Sequence, residues 1–293
     1  MLMPFSESEW RISMTTPFPF ITVIGTGNMG SSLIHGLIQS GHPANKICGV
    51  DQHLEKLNQL KQSLPIHITT NEVEAASKAD VIIFATKPDD MAAAVTAVAA
   101  SVATRRTLVI SIAAGVREAR LQQWLRTENK AAPAVAIVRA MPNTPALVNA
   151  GATGLYANAQ VTPTQHELAE SILRAVGIVV WLPQESLLDV VTALSGSGPA
   201  YFFLVMEAMQ QAAIELGLPT DTARLLTQQT ALGAARMAIE NDISITELRR
   251  QVTSPGGTTE KAIAVLEENQ LREVFRKALQ AAKLRAEELG GNK

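Results

Sequence analysis

Three stretches of the chain carry residue types whose spacing could do chemistry. In the first, the apolar run Ile21–Ile24 enters a turn with glycine at Gly25, Gly27 and Gly30, the G-x-G-x-x-G spacing. Gly25 permits a tight turn, Gly27 lets backbone approach a pyrophosphate, and Gly30 lets the next helix pack close to the strand. That helix, over about residues 31–40, aims free N–H groups and a positive dipole end at the phosphates. A second apolar strand, 47–50, ends at Asp51, 21 residues after Gly30, where an acid can accept hydrogen bonds from an adenosine ribose. The alternative for Asp51 is a turn residue closing a strand. The other two stretches are Ser195-Gly196-Ser197-Gly198-Pro199-Ala200-Tyr201 and Ser254-Pro255-Gly256-Gly257-Thr258-Thr259, each read as opening a helix. Unpaired N–H donors and hydroxyls at a helix start suit a carboxylate or phosphate, although either stretch can equally be a capped helix start.

These residues need elements to hold them. Apolar runs at 66–68, 81–85, 107–112, 134–140, 151–156 and 177–182 read as further strands, alternating with helices at 54–64, 89–102 and after Thr162-Pro163-Thr164-Gln165, a capping box. Alternation of this kind implies a mostly parallel sheet of about eight strands. The loop Thr86-Lys87-Pro88 leaves a parallel strand at its C-terminal end, where such sheets bind ligands. Lys87 there can meet a phosphate or a nicotinamide ribose, or simply be solvated. Past Pro183 no strand run appears, and helices follow at 186–194, 199–216, 220–240, 244–252, 259–268 and 271–289. The segment 199–240 is apolar on more than one face, which asks for burial on several sides and points to a subunit interface, the alternative being a tightly packed monomeric bundle. The reading is therefore α/β: a dinucleotide-binding domain of Rossmann type at 20–182, then an all-α dimerisation and substrate domain at 183–293. Residues 1–19 read as a disordered extension, with Met14 an alternative start.

The totals exclude several classes. Of 293 residues 47% are hydrophobic, enough for a sizeable core, and net charge is −2, with no basic field for nucleic acid. Cys48 is the only cysteine, which rules out a disulfide within the chain and fits the cytoplasm. The five histidines show no metal-ligand spacing. No run approaches the length of a membrane span, and residues 1–19 do not have the layout of a signal peptide. No lysine occurs between Lys130 and Lys261 and no histidine after His166, so the helical half has little acid–base equipment of the kind hydroxyl oxidation needs. Reduction of an already electrophilic C=N bond asks for less.

Five motifs occur in order: the glycine loop with Asn28-Met29, Ser111-Ile112-Ala113-Ala114-Gly115, Arg139-Ala140-Met141-Pro142-Asn143-Thr144-Pro145, Ser195 to Tyr201, and Val252 to Thr259. From about residue 20 to its end the chain resembles the pyrroline-5-carboxylate reductase family, and the last two motifs are specific to that family. The resemblance implies reduction of 1-pyrroline-5-carboxylate to L-proline with NADPH or NADH, a homodimer through the helical domain, and dimers that often form larger rings. It assigns Gly25, Thr26, Gly27, Asn28, Met29 and Gly30 to the pyrophosphate, Asn71 to a phosphate, and Ala85, Thr86, Lys87 and Pro88 to the nicotinamide side. Ser254, Pro255, Gly256, Gly257, Thr258 and Thr259 match the turn for the substrate carboxylate, with the Thr259 hydroxyl facing the substrate nitrogen. Asp51 departs from many members and would repel a 2′-phosphate. The rivals are a β-hydroxyacid dehydrogenase, which needs a lysine in its helical domain, and a non-catalytic dinucleotide sensor.

Overall fold

A computed structural model describes residues 18–127 and 134–291. Residues 1–17 of the expected extension lie outside it. Phe18 and Pro19 are placed: the Phe18 ring packs edge-on to His42 at 5.3 Å, and His42 Nε2 lies 3.1 Å from the Pro19 carbonyl oxygen.

Among the described residues eight strands form one sheet: β1 (Ile21–Ile24), β2 (Ile47–Val50), β3 (His67–Thr69), β4 (Val81–Phe84), β5 (Leu108–Ser111), β6 (Ile137–Met141), β7 (Gly151–Ala157) and β8 (Gly177–Trp181). Their order is β3-β2-β1-β4-β5-β6-β7-β8, parallel throughout except for the β6–β7 pair. The chain leaves β1 for β2 and β3 on one side and returns to β4 on the other. That reversal makes a topological switch point between β1 and β4. β1, β2, β4 and β5 are buried along their whole length, which is why they read as unbroken apolar runs. β8 is an edge, and Val179 is buried between exposed Ile178 and Val180.

Seven helices flank these strands: α1 (Asn28–Gln39), α2 (Leu54–Ser63), α3 (Glu72–Ala76), α4 (Met91–Arg105), α5 (Glu118–Trp124), α6 (Pro163–Arg174) and α7 (Leu187–Val191). One face of the sheet is covered by Leu33, Ile34 and Leu37 of α1 with Ile172 and Leu173 of α6. The other is covered by Met91, Val95 and Val98 of α4 with Leu121 of α5. α1 stops at Gly41, whose φ of +95° suits glycine, with His42 N–H donating back to the Leu37 carbonyl at 2.9 Å. The Thr162 capping box is formed as read: its Oγ1 accepts from Gln165 N–H and the Gln165 side chain accepts from Thr162 N–H.

Five more helices follow: α8 (Gly198–Glu215), α9 (Thr220–Glu240), α10 (Ile245–Gln251), α11 (Thr258–Glu268) and α12 (Leu271–Gly291). Contacts divide the chain into two compact units, one ending at Ser197 and resuming at Ala281, the other Gly198–Gln280. The division falls after 197 rather than at the expected 182/183 because α7 packs on the sheet, where a Cβ on Gly154 would meet Val191 Cγ1 at 2.9 Å. The end of α12 joins the same unit, with Leu289 against Gly115 and Gly290 against the Arg117 guanidinium.

Ser195 and Gly196 do not form a turn that opens a helix. They belong to a π-helical segment, Thr192–Gly196, between α7 and α8. Leu187–Glu215 is thereby a 29-residue helical run with a window of mean hydropathy 1.3, long and apolar enough to cross a membrane by length and composition. This corrects the expectation that no run approaches a span, because two glycines and a proline made one run read as two. Phe202, Phe203, Leu204, Leu225, Leu226 and Leu232 are each more than half exposed, so one copy of the helical unit leaves its largest apolar side chains uncovered.

Candidate functional site

The glycine loop sits at the C-terminal edge of β1. Gly25 has φ +97°, and a Cβ there would meet the Ala85 carbonyl oxygen at 2.6 Å. A Cβ on Gly30 would come within 2.0 Å of the Gly25 carbonyl oxygen, so no larger residue fits without moving backbone. Gly27 is the opposite case. It is exposed, and nothing lies within 4 Å of where its Cβ would be. Open space at the middle glycine, between two closed ones, is what a pyrophosphate lying on backbone N–H groups at the start of α1 requires. The residues present fit a dinucleotide.

Three strand registers align the loops that could serve such a ligand. Ile24 pairs with Phe84, Phe84 with Ser111, and Ser111 with Arg139. The exits of β1, β4, β5 and β6 therefore lie side by side on one edge, with Asp51 beyond β1 at the end of β2. Gly25 N–H donates to the Val50 carbonyl at 2.8 Å and Ala85 N–H to the Ile24 carbonyl at 2.7 Å, which fixes the loops to one another. Thr86 Oγ1 lies 3.0 Å from Met91 Sδ, and Lys87 is exposed. Asn71 is the N-cap of α3: its Oδ1 accepts from Glu74 N–H at 3.1 Å, leaving its amide N–H groups as the donors for a phosphate.

Asp51 already has partners. Its Oδ2 accepts from Thr26 N–H at 3.0 Å and Thr26 Oγ1 at 3.1 Å, and its Oδ1 accepts from His53 N–H at 3.0 Å and lies 3.0 Å from His53 Nδ1. These bonds bear out the reading of Asp51 as a residue that closes the strand, and its carboxylate lies beside the glycine loop through Thr26. Burial raises its pKa, but the hydrogen bonds from His53 and Thr26 together outweigh that and hold the carboxyl below the ordinary aspartate range. Cys48, in β2, is buried with its thiol pushed up to about 11 by desolvation, which suits a packing role.

In the helical unit, Ser254 to Thr259 form the expected turn into α11. Gly256 has φ +70°, Gly257 N–H donates to the Ser254 carbonyl at 3.0 Å, and Gly257 is the N-cap with no side-chain cap bond. The first N–H groups of α11, from Thr258 and Thr259, have no intrahelical acceptor and can receive an anion. Thr259 is half-buried. Glu260, not singled out from sequence, accepts from Gly256 N–H at 2.8 Å and braces the turn.

Sequence reasoning also left two features unassigned. Arg139 and Asp189 are buried and answer to Glu185 and Arg117 at 2.7 Å each, and Glu185 also accepts from Glu118 N–H. Partners 46 and 72 residues apart leave no local signal. Asn143 donates to the Ser195 carbonyl at 3.0 Å and accepts from Ala152 N–H at 2.8 Å, joining two motifs that sequence could only place in order.

A glycine loop built in this way on a doubly wound sheet, followed by a helical unit, defines a dinucleotide-dependent oxidoreductase. Two family models match: one described as pyrroline-5-carboxylate reductase dimerisation over residues 185–289, and one described as NADP oxidoreductase, coenzyme F420-dependent, over residues 20–115. A pyrroline-5-carboxylate reductase from Pseudomonas aeruginosa is 47% identical over 271 residues, covering 92% of this chain and 97% of its own. The solved structure of one from Coxiella burnetii is 49% identical, with a TM-score of 0.88 over 93% of this chain and 99% of that one. That of a pyrroline carboxylate reductase from Plasmodium falciparum with NADP bound is 27% identical, with a TM-score of 0.80 over 93% and 98%. The chain belongs to the pyrroline-5-carboxylate reductase family.

Proposed function

We infer that the protein reduces 1-pyrroline-5-carboxylate to L-proline with NADPH or NADH, the last step of proline biosynthesis. Relatedness along nearly the whole chain carries this reading, because it takes in the glycine loop and the Ser254–Thr259 turn together. When bound, a reduced nicotinamide would supply a hydride to the imine carbon, with the nitrogen taking its proton from water. The N–H groups of the glycine loop and of α1 hold the pyrophosphate, Asn71 donates to a phosphate, and Ala85 to Pro88 border the nicotinamide side. The turn from Ser254 to Gly257 and the start of α11 receive the substrate carboxylate. Thr259, by its hydroxyl or a water it holds, hydrogen-bonds the substrate nitrogen as this becomes an amine. Most of the rate comes from holding the imine carbon in place, since orientation alone is worth roughly 7–11 kcal/mol.

The working unit is a homodimer through the helical unit, as the dimerisation region and its uncovered apolar side chains support. Assembly of dimers into a ring and residence in the cytoplasm complete the proposal. The test is absorbance at 340 nm with protein, NADPH and pyrroline-5-carboxylate. Oxidation that depends on the imine is expected. Activity only with β-hydroxyacids and NAD would assign the protein to the rival class, and cofactor binding without turnover on either would make it a sensor.

A further inference from the structure

The loop after β6 and the π-helical segment before α8 are tied together by one side chain that the reaction described above does not use. A π-helical turn displaces backbone carbonyls from their usual i+4 partners, and single π turns recur at functional sites. Here Ser197 N–H donates to the Thr192 carbonyl at 2.8 Å, the i−5 pattern, while the Ser195 carbonyl receives Asn143 Nδ2 at 3.0 Å. Asn143 Oδ1 accepts from Ala152 N–H, at the start of β7, at 2.8 Å. A backbone N–H can only donate and a carbonyl can only accept, so the two partners fix which way the amide faces. Met141 closes the other side, since a Cβ on Gly196 would meet its Cε at 2.7 Å.

Position along the sheet edge says what this clamp can affect. Asp51 and the glycine loop put the adenosine and pyrophosphate at the ends of β2 and β1, so the rest of a dinucleotide runs toward β4 and β5. The exit of β6, carrying Met141 to Asn143, is the next strand along. We propose that Asn143 is a positioning residue for hydride transfer, acting through the segment Thr192–Gly196 that it holds beside the nicotinamide end of the sheet edge. The proposal rests on the reductase reading. Release of the clamp lets the segment drift, and a misplacement of about 1 Å costs on the order of 100-fold in rate.

The test uses the purified full-length protein. Asn143→Asp keeps an acceptor for Ala152 N–H but offers the Ser195 carbonyl no proton, whereas Asn143→Gln keeps donor and acceptor on a longer arm. Steady-state kinetics with pyrroline-5-carboxylate and NADPH, NADPH binding by fluorescence titration and thermal melts are measured on both. The expected result for Asn143→Asp is a fall in kcat of roughly 10–100-fold with NADPH Kd within about threefold of wild type, and partial recovery in Asn143→Gln. Wild-type kcat in a less stable Asn143→Asp protein overturns the proposal, as does NADPH binding weakened as much as kcat. Failure of both variants to fold overturns it too, because the amide would then be a requirement of folding. An unaltered protein inactive on pyrroline-5-carboxylate overturns the reductase reading, and this proposal with it. An active one with an unimpaired Asn143→Asp variant overturns this proposal alone.

Discussion

Asp51→Asn separates the ribose role proposed for that side chain from its bonds to Thr26 and His53. NADPH differs from NADH by a 2′-phosphomonoester of about −1.5 to −2 charge near neutral pH. With the Asp51 carboxylate about 6 Å away, the repulsion per charge pair is about 0.7 kcal/mol at the dielectric of water and about 2.8 kcal/mol at an effective dielectric of 20. Gly27 and Asn28, beside it, are exposed, so solvent and salt hold the value near the low end. Removing the charge should then favour NADPH by about 1–1.4 kcal/mol, on the order of 5–10-fold. Loss of a charged acceptor for the ribose hydroxyls of NADH, worth roughly 1.5–3 kcal/mol, moves the ratio the same way. The structure also predicts a cost common to both cofactors. An asparagine Oδ1 can still accept from Thr26, but its NH2 then faces His53 N–H, and a lost bond of about 1 kcal/mol should lower Tm. The discriminating quantity is therefore the ratio of kcat/KM for NADPH to that for NADH, read at 340 nm with saturating imine. A ratio within about twofold of wild type, with a lowered Tm, would refute the ribose role and leave Asp51 a brace for Thr26 and His53.

Gly27→Ala meets no atom in the fold and should leave Tm within about 1 °C while raising the Kd for NADPH roughly tenfold or more, whereas Gly30→Ala, driven into the Gly25 carbonyl, should lower stability by about 1–3 kcal/mol as well; melts beside fluorescence titrations check both. Thr259→Ala should lower kcat/KM by roughly 10–150-fold with NADPH affinity unchanged, and Thr259→Ser should keep most activity; wild-type kinetics in Thr259→Ala would remove its hydroxyl from the reaction. Light scattering at micromolar concentration should give a dimer or a multiple of it, and a stable monomer would contradict the use assigned to the exposed apolar side chains of α8 and α9. Because the folded Asp51 pKa lies below its unfolded value of about 3.9, its hydrogen bonds contribute fully above that value and are lost as pH falls through the folded pKa; the Tm gap between wild type and Asp51→Asn should close below about pH 4.

What could be read from the sequence had causes lying within a few residues. The glycine spacing predicts one open and two closed positions because each requirement is set by the adjoining strand and helix, and the Cβ distances at Gly25, Gly27 and Gly30 agree. The Thr162 box and the Gly41 stop are contained in four to six residues each. Other elements depend on distant partners. β3 runs His67–Thr69 rather than 66–68 because pairing with Cys48–Val50 sets its register. The π-helical segment has no signature of its own. Ser195 and Gly196 look like a turn, and what keeps them helical includes an amide 52 residues away. The end of the strand runs at Pro183 places α7 with the helical half, yet what decides its place is the missing side chain of Gly154, a vacancy that Val191 fills. Asp51 shows both limits at once. Spacing places it at the end of β2, but only the fold reveals that Thr26 and His53 already engage both of its oxygens. A ribose hydroxyl bound there, as the ribose role proposes, would share or displace one of these partners, of which the His53 imidazole is the exposed one. The proposed NADH contact would then depend on how readily His53 gives up its place, a dependence that no property of Asp51 alone would predict.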